Sequence, residues 1–248
     1  YWCVHDEEHL CESVMKTKIL GAYAQYITIP AHIVATNVYE KPERLSYEAA
    51  AFLEPLACVT HAIGELRLRG DERIAIIGAG GFAFLHALVL RAMGFPKPFL
   101  IARRRDRLAM AREHDLAEAI DADDAAIEVI RSRTAGRGAD AVIECTGSAG
   151  VWEAAPAYAR RGGSVLLFGG LAAGTTVCFD AARLHYDGVR VVSPFHFGRR
   201  SVRRAYELLA DGSVDPRPLI SGTFPLARLE EAFALLERGE GIKYAVKP

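Results

Sequence analysis

Arg73–Ala83 reads RIAIIGAGGFA, and this stretch decides the fold. The apolar, β-favouring run Ile74–Ile77 ends on Gly78-Ala79-Gly80, and Phe84–Met93 beyond it is apolar at helical spacing. The pattern predicts a strand, a tight glycine turn and a helix start. In such a turn Gly78, Gly80, Gly81, Phe82 and Ala83 would present backbone N–H groups and the positive end of a helix dipole to a pyrophosphate. Ala83 stands where the fingerprint has its third glycine, a position that tolerates a small side chain. An ordinary strand-to-helix turn also uses glycine where φ is positive, so context has to decide.

That context is repetitive. Strand-like runs recur at Pro98–Ala102, Ala141–Cys145, Ser164–Gly169 and Val189–Ser193. Helical stretches at Asp106–Glu113, Ala125–Arg133 and Val151–Arg161 lie between several of them. Alternation of this kind builds an α/β, doubly wound parallel sheet covered on both faces. A dinucleotide is the ligand such a sheet and turn would take.

The alternating unit is flanked by segments of different character, giving a division into 1–54, 55–196 and 197–248. In the first, Gly21–Pro30 (GAYAQYITIP) alternates as a half-buried strand would. Ser46 is placed to cap a helix with Glu48 in its first turn, and Pro55 breaks or restarts that helix with Glu54 at the junction. In the last segment, Arg199–Ala210 reads as an amphipathic helix closing near Gly212. A loop with Pro216 and Pro218 follows, then a helix at Leu226–Arg238 and a strand at Ile242–Lys247.

With 248 residues, 51% hydrophobic and 25% charged, the chain has an ordinary globular balance and enough length for a substantial core. A formal charge of −1 gives no global field to recruit nucleic acid or an anionic membrane. The longest apolar run, Phe82–Leu90, is interrupted by His86 and is too short for a membrane span. Five scattered cysteines do not form a disulfide framework and fit a reducing cytoplasm.

Taken together, the Cys3–Cys11 pair, GAYAQY, YEAAAFLEPLACVTHA, IIGAGGFA, GRGADAVIECTG, RRGGSVLLFGG and GIKYAVKP resemble, in order, the zinc-dependent medium-chain alcohol and polyol dehydrogenases. The EPLA block, with the glycine turn 24 residues after Glu54, points to the sorbitol and threonine dehydrogenase-like branch. The resemblance implies a Rossmann domain and a mainly β, GroES-like substrate domain built from both chain ends and incomplete here, with family members carrying further residues ahead of Tyr1. It also implies zinc, a nicotinamide cofactor and a secondary alcohol (polyol, cyclitol or sugar alcohol) interconverted with its ketone. The first two catalytic zinc ligands would then lie upstream, and the chain by itself is expected to be inactive.

Individual residues take roles by the same resemblance. Cys3 and Cys11, seven residues apart, match the last two thiols of a structural-zinc lobe. Glu54 matches a position from which a carboxylate binds the catalytic zinc or its water, and its small and apolar neighbours argue against a solvated side chain. Cys58 is then either near the nicotinamide or a buried structural thiol. Thr146, Gly147, Phe168 and Gly169 fall at carboxyl ends of strands and line the cofactor; Ser193 and Phe195 close over the nicotinamide, and Lys243 reaches the pyrophosphate. His61, His185 and His196 have no partner at motif spacing and are taken as structural, a place in the substrate wall being the alternative for His196.

Chemistry supplies the cofactor choice. Where NAD binders place a carboxylate after the second strand, this chain has Ala102 followed by Arg103, Arg104 and Arg105. Guanidinium forks there favour a 2′-phosphate, hence NADP over NAD. Two rivals stand beside this reading: a zinc-free quinone or enoyl reductase on the same scaffold, and a non-catalytic nucleotide-binding protein. The edge run Val189–Ser193 is the candidate contact for a homodimer or homotetramer.

Overall fold

The computed structural model describes residues 1–248, the side chain of Met15 apart. Two compact units emerge, one of Tyr1–Ala57 with Phe197–Pro248 and one of Cys58–His196.

The chain enters the first unit through 3-10 turns at Trp2–His5 and Glu8–Leu10 and the short helices α1 (Val14–Thr17), α2 (Ala31–Asn37) and α3 (Tyr47–Ala50). Ser46 Oγ accepts the Ala49 N–H at 3.2 Å and caps α3, as its sequence position predicted. Helix α4 (Leu53–Leu66) starts afresh after Phe52. Pro55 lies in its first turn, where a missing N–H breaks no helical hydrogen bond.

Gly21–Pro30 is not the strand its alternation suggested: it is irregular and exposed throughout, and Pro30 leads into α2, which periodicity did not reveal. No neighbouring strand among the described residues offers a ladder, and a lone strand leaves its backbone groups unpaired.

Six parallel strands make the sheet of the second unit. They are β1 (Ile74–Ile77), β2 (Phe99–Ala102), β3 (Glu118–Asp121), β4 (Ala139–Glu144), β5 (Ala159–Leu167) and β6 (Arg190–Val192). Their order is β3-β2-β1-β4-β5-β6, so the direction of winding reverses between β1 and β4. All four residues of β1 and of β2 are buried, as strands covered on both faces should be. Helices α5 (Gly81–Ala92), α6 (Arg105–Glu113), α7 (Ala126–Ser132), α8 (Ala149–Ala154) and α9 (Ala181–His185) connect or follow the strands. Ala83 through Leu90 are buried without interruption, which makes α5 the central helix.

One expected helix is cut short. Val151–Arg161 is helical only to Ala154, turns through a 3-10 segment at Ala155–Tyr158, and already belongs to β5 from Ala159. Pro156 cannot donate to a continuing helix, and the early part of β5 pairs Ala139 with Ala159 before a register shift.

The first unit resumes with α10 (Arg199–Ala210), β7 (Ile220–Pro225), α11 (Leu229–Glu237) and β8 (Lys243–Lys247). Its sheet among the described residues is the parallel pair β7-β8, so the wider β structure expected of this unit is not formed by these residues. Both stretches of chain in the unit are stitched together. Arg44 Nε donates to the Ala210 carbonyl at 2.7 Å, satisfying the end of α10. Tyr206 donates to the Glu40 carbonyl at 2.9 Å, and Arg199 and Arg200 pair with Glu8 and Asp6 at 2.7 and 2.8 Å.

Candidate functional site

The carboxyl ends of β1 and β4 meet at the reversal point, where open sheets of this kind take their ligands. Gly78 leaves β1 at φ 109°, and a Cβ there would stand 3.1 Å from Thr146 Cγ2 in the turn after β4. Only glycine fits that conformation and that approach. Gly80 is the N-cap of α5, carries no side-chain cap, and has nothing within 4 Å of the place where its Cβ would be. The first turn of α5, at Gly81, Phe82 and Ala83, thus starts beside open space at Gly80 and without a side-chain cap. A diphosphate suits the position: the helix start offers unpaired amides, its dipole favours an anion, and no side-chain cap competes.

Behind the turn lies an aromatic stack. Phe82, 40% exposed, packs on Phe168 at 4.9 Å between ring centroids, and His86 meets Phe168 edge-on at 4.7 Å. His86 is fully buried, and its Nδ1 lies 2.8 Å from the Phe82 carbonyl, which can only accept. The proton therefore sits on Nδ1, leaving Nε2 unprotonated and without a partner. Burial pushes the imidazole pKa down to about 4, the Phe82 hydrogen bond opposing this only in part. Cys145 Sγ is 3.7 Å from the same Nδ1, and burial, helped by the Glu144 charge, raises the thiol well above its ordinary value. This thiol is inert under neutral conditions.

A depressed histidine pKa has a defined consequence for stability. Between the unfolded value of 6.5 and about 4, the unfolded chain binds a proton that the folded chain refuses. Stability therefore falls as pH falls through that window, by roughly 3 kcal/mol in all. His86→Leu is expected to remove this part of the acid sensitivity, so the gap in urea midpoint between pH 7 and pH 4.5 narrows. An unchanged gap would show that His86 is not the group responsible.

Glu144 ends β4 fully buried, and its Oε1 accepts both the backbone N–H and the hydroxyl of Thr146. Phe168 and Gly169 N–H groups each donate to the Glu144 carbonyl at 3.0 Å. Trp152 Nε1 holds the Gly169 carbonyl at 2.8 Å. Gly147, at φ 67°, would put a Cβ 2.9 Å from the Gly170 carbonyl. The turns after β4 and β5 are thus in backbone contact, which brings Thr146, Gly147, Phe168 and Gly169 together. Ser193 follows β6 and donates from Oγ to the Leu167 carbonyl at 3.1 Å, while Phe195 is 57% exposed.

At the end of β2, Ala102 is 6% exposed, and the arginines after it differ in their engagements. Arg104 holds Asp106 through Nε and Nη2 at 3.1 and 2.6 Å. The hydrogen bond from Arg104 lowers the Asp106 pKa and, reciprocally, raises that of Arg104. Arg103 is exposed and has no ion pair or hydrogen bond among the described residues. Lys243 opens β8 with its Nζ 5.3 Å from the Phe52 ring centroid, a cation–π contact.

Glu54 is exposed, contrary to the inference from its apolar neighbours. It lies in the first turn of α4, where Phe52, Pro55, Leu56 and Ala57 take the buried positions and leave it on the open side. One turn later on that helix stands Cys58, half-buried. Glu54 and Cys58, one helical turn apart on α4, present a carboxylate and a thiol, donor types that suit zinc. Cys3 is exposed and Cys11 half-buried; neither belongs to a three-donor group among the described residues.

Known proteins share this geometry. Residues 84–211 match the family model described as zinc-binding dehydrogenase. A Rhizobium meliloti (strain 1021) protein named as a D-xylulose reductase is 32% identical over 205 residues, which cover 82% of this chain and 58% of that protein. Alcohol dehydrogenase TADH from Thermus sp. ATN1 superposes with a TM-score of 0.87 at 25% identity, over 99% of this chain and 73% of that one. A Sinorhizobium meliloti 1021 protein named as a zinc-binding dehydrogenase, solved bound to NADP, gives a TM-score of 0.74 at 27% identity over 85% and 62% of the respective chains. The chain thus spans 58% of the length of the first of these relatives. No helix among the described residues is long and apolar enough to cross a membrane. With a family match over more than half its length, the chain belongs to the zinc-binding dehydrogenases.

Proposed function

We propose that the protein transfers hydride between NADP and a secondary alcohol of the polyol, cyclitol or sugar-alcohol class, with zinc assistance. In the oxidative direction the carbinol C–H bond breaks and its hydride passes to the nicotinamide, while the hydroxyl proton leaves to solvent. The alcohol is oxidised to its ketone and NADP is reduced. The observation that carries the reading is the meeting of Gly78 with Thr146 at the reversal point, beneath the uncapped start of α5. The relative named as a D-xylulose reductase supports the substrate class.

Each part of the chain contributes a separate task. Amides of Gly81–Ala83 hold the pyrophosphate, and the Phe82–Phe168 pair supplies an apolar wall that keeps water from the ring end of the coenzyme. Arg103 reads the 2′-phosphate. Zinc, when bound, supplies Lewis-acid polarisation of the substrate oxygen, and Glu54 is the residue assigned to it by family position. The unpaired side of edge strand β6, whose Val191 and Val192 are half-buried, is offered to a second copy related by a two-fold axis.

Titration with NADPH, followed by coenzyme fluorescence and by quenching of Trp152, tests the central claim. Saturable binding is expected, with NADH at least tenfold weaker. Absence of binding by either reduced coenzyme at millimolar concentration, with folded protein, would reject the function.

A further inference from the structure

We propose that the amino-terminal side of the six-stranded sheet carries a second anion site, built for a phosphate monoester and separate from the coenzyme crevice. An open cavity of about 460 Å³ lies there, between the chain that follows α4 and residues of β4, β5 and β6. Its lining residues run from Leu66 to Arg190, so the site belongs wholly to the Cys58–His196 unit. The glycine turn after β1 and the turns after β4 and β5 open at the other ends of these strands.

Four arginines line the cavity: Arg67, Arg69, Arg160 and Arg190. Three carboxylates stand among them, and what matters is which of these charges are already engaged. Glu72 accepts the N–H groups of Arg69 and Gly70 at 2.7 and 2.9 Å, which fixes the turn between α4 and β1. Asp140 accepts the Arg73 N–H at 2.8 Å and also the Arg160 Nε–H. Neither carboxylate therefore neutralises Arg67 or Arg69, whose side chains have no ion pair or hydrogen bond among the described residues. Arg190 donates through Nη2 to the Glu65 and Leu66 carbonyls at 3.1 and 3.0 Å, closing the end of α4 and leaving Nε and Nη1 without a partner. Asp71, exposed at the rim, is the one lining carboxylate with no partner.

Backbone and hydroxyl add to the case. Arg67 stands just past the end of α4 with φ at 52°, the left-handed position that glycine ordinarily takes. Strain of this kind collects at ligand clamps. Ser164 on β5 is the register partner of Arg190 on β6, so their side chains share a face of the sheet. The Ser164 hydroxyl is half-buried, lines the cavity and has no hydrogen bond among the described residues. Guanidinium forks and a hydroxyl arriving from three separate segments surround a tetrahedral dianion better than a planar carboxylate. The cavity is also larger than phosphate itself, which leaves room for the organic part of an ester.

Inorganic phosphate and phenyl phosphate, titrated into the protein with and without saturating NADPH and followed by phosphorus NMR line width, test the site. One saturable site is expected at millimolar concentration or below, unaffected by the coenzyme. Arg67→Gly, which the positive φ accommodates, and Arg69→Ala should each weaken phosphate at least about fivefold, a modest factor because both side chains are exposed. Asp71→Asn removes a like charge and should tighten it. Urea midpoints confirm that the variants fold. No saturable binding at tens of millimolar by the folded protein would overturn the site, and so would binding that neither arginine substitution weakens. Acetate bound as tightly as phosphate would overturn the phosphate assignment. Competition by NADPH would place the anion in the coenzyme crevice and reject the second site, while leaving the dehydrogenase reading intact.

Discussion

Gly169→Ala is expected to cost about 3 kcal/mol of stability and to abolish NADPH binding, because its added methyl group meets backbone on the facing turn. A Cβ at this position would lie 2.2 Å from the Gly147 nitrogen, 2.8 Å from Gly147 Cα and 2.9 Å from Glu144 Oε2. None of these atoms can swing aside. The Gly169 N–H is bonded to the Glu144 carbonyl, the Gly169 carbonyl to Trp152, and Gly147 is itself pressed against the Gly170 carbonyl. Relief therefore requires the turns after β4 and β5 to separate. Thr146 would move with its turn, and with it one wall of the crevice facing Gly78. Gly170→Ala is the matched control: nothing lies within 4 Å of its added Cβ, and a change within roughly 0.5 kcal/mol is expected. Urea midpoints and NADPH titrations of the two variants decide the matter. Equal behaviour of the pair would show that the close approach of the two turns governs neither property.

What the sequence disclosed depends on how local each signal is. The β1–turn–α5 unit is contiguous, and each of its parts has its own marker: a β-favouring run, paired glycines, an apolar helix. Buried strands β2 and β4 and the half-buried β6 likewise contain short apolar runs and were legible. Strand β3 reads Glu118-Ala119-Ile120-Asp121, too short and too polar to stand out, and it exists because Ala102 and its neighbours offer an unpaired edge. Gly21–Pro30 failed for the converse reason: its alternation was real, but no ladder partner lies beside it. Glu54 lay at the expected helix start, yet burial depends on which way a helix faces, and small neighbours do not specify that. The Arg104–Asp106 pair, in contrast, is a contact between near neighbours that composition of the Arg103–Arg105 run alone did not bring out.

That pair bears on the proposed coenzyme choice, and reversing the proposed preference for NADP is the second large effect expected. Asp106 occupies Arg104 through two hydrogen bonds, so the fork available for a 2′-phosphate is Arg103. A hydrogen bond to a charged group is worth about 1.5–3 kcal/mol, which corresponds to roughly 10–150-fold in a dissociation constant. Arg103→Ala should weaken NADPH by that factor and leave NADH nearly unchanged. Adding Ala102→Asp gives the ribose hydroxyls an acceptor and repels the 2′-phosphate, so the double variant should bind NADH more tightly than NADPH. Ala102 is 6% exposed and pairs with Asp121 on β3, so a new carboxylate there also carries a stability cost. Its thermal midpoint is measured alongside, while the single Arg103→Ala variant decides the assignment without that complication. Asp106→Asn provides an independent arm. Losing the carboxylate charge loosens its hold on Arg104, and a second guanidinium reaching the phosphate should tighten NADPH several-fold with no gain for NADH. If Arg103→Ala and Asp106→Asn both leave the NADPH-to-NADH ratio where it was, the arginines after β2 play no part in reading the phosphate, and the preference for NADP is rejected with them.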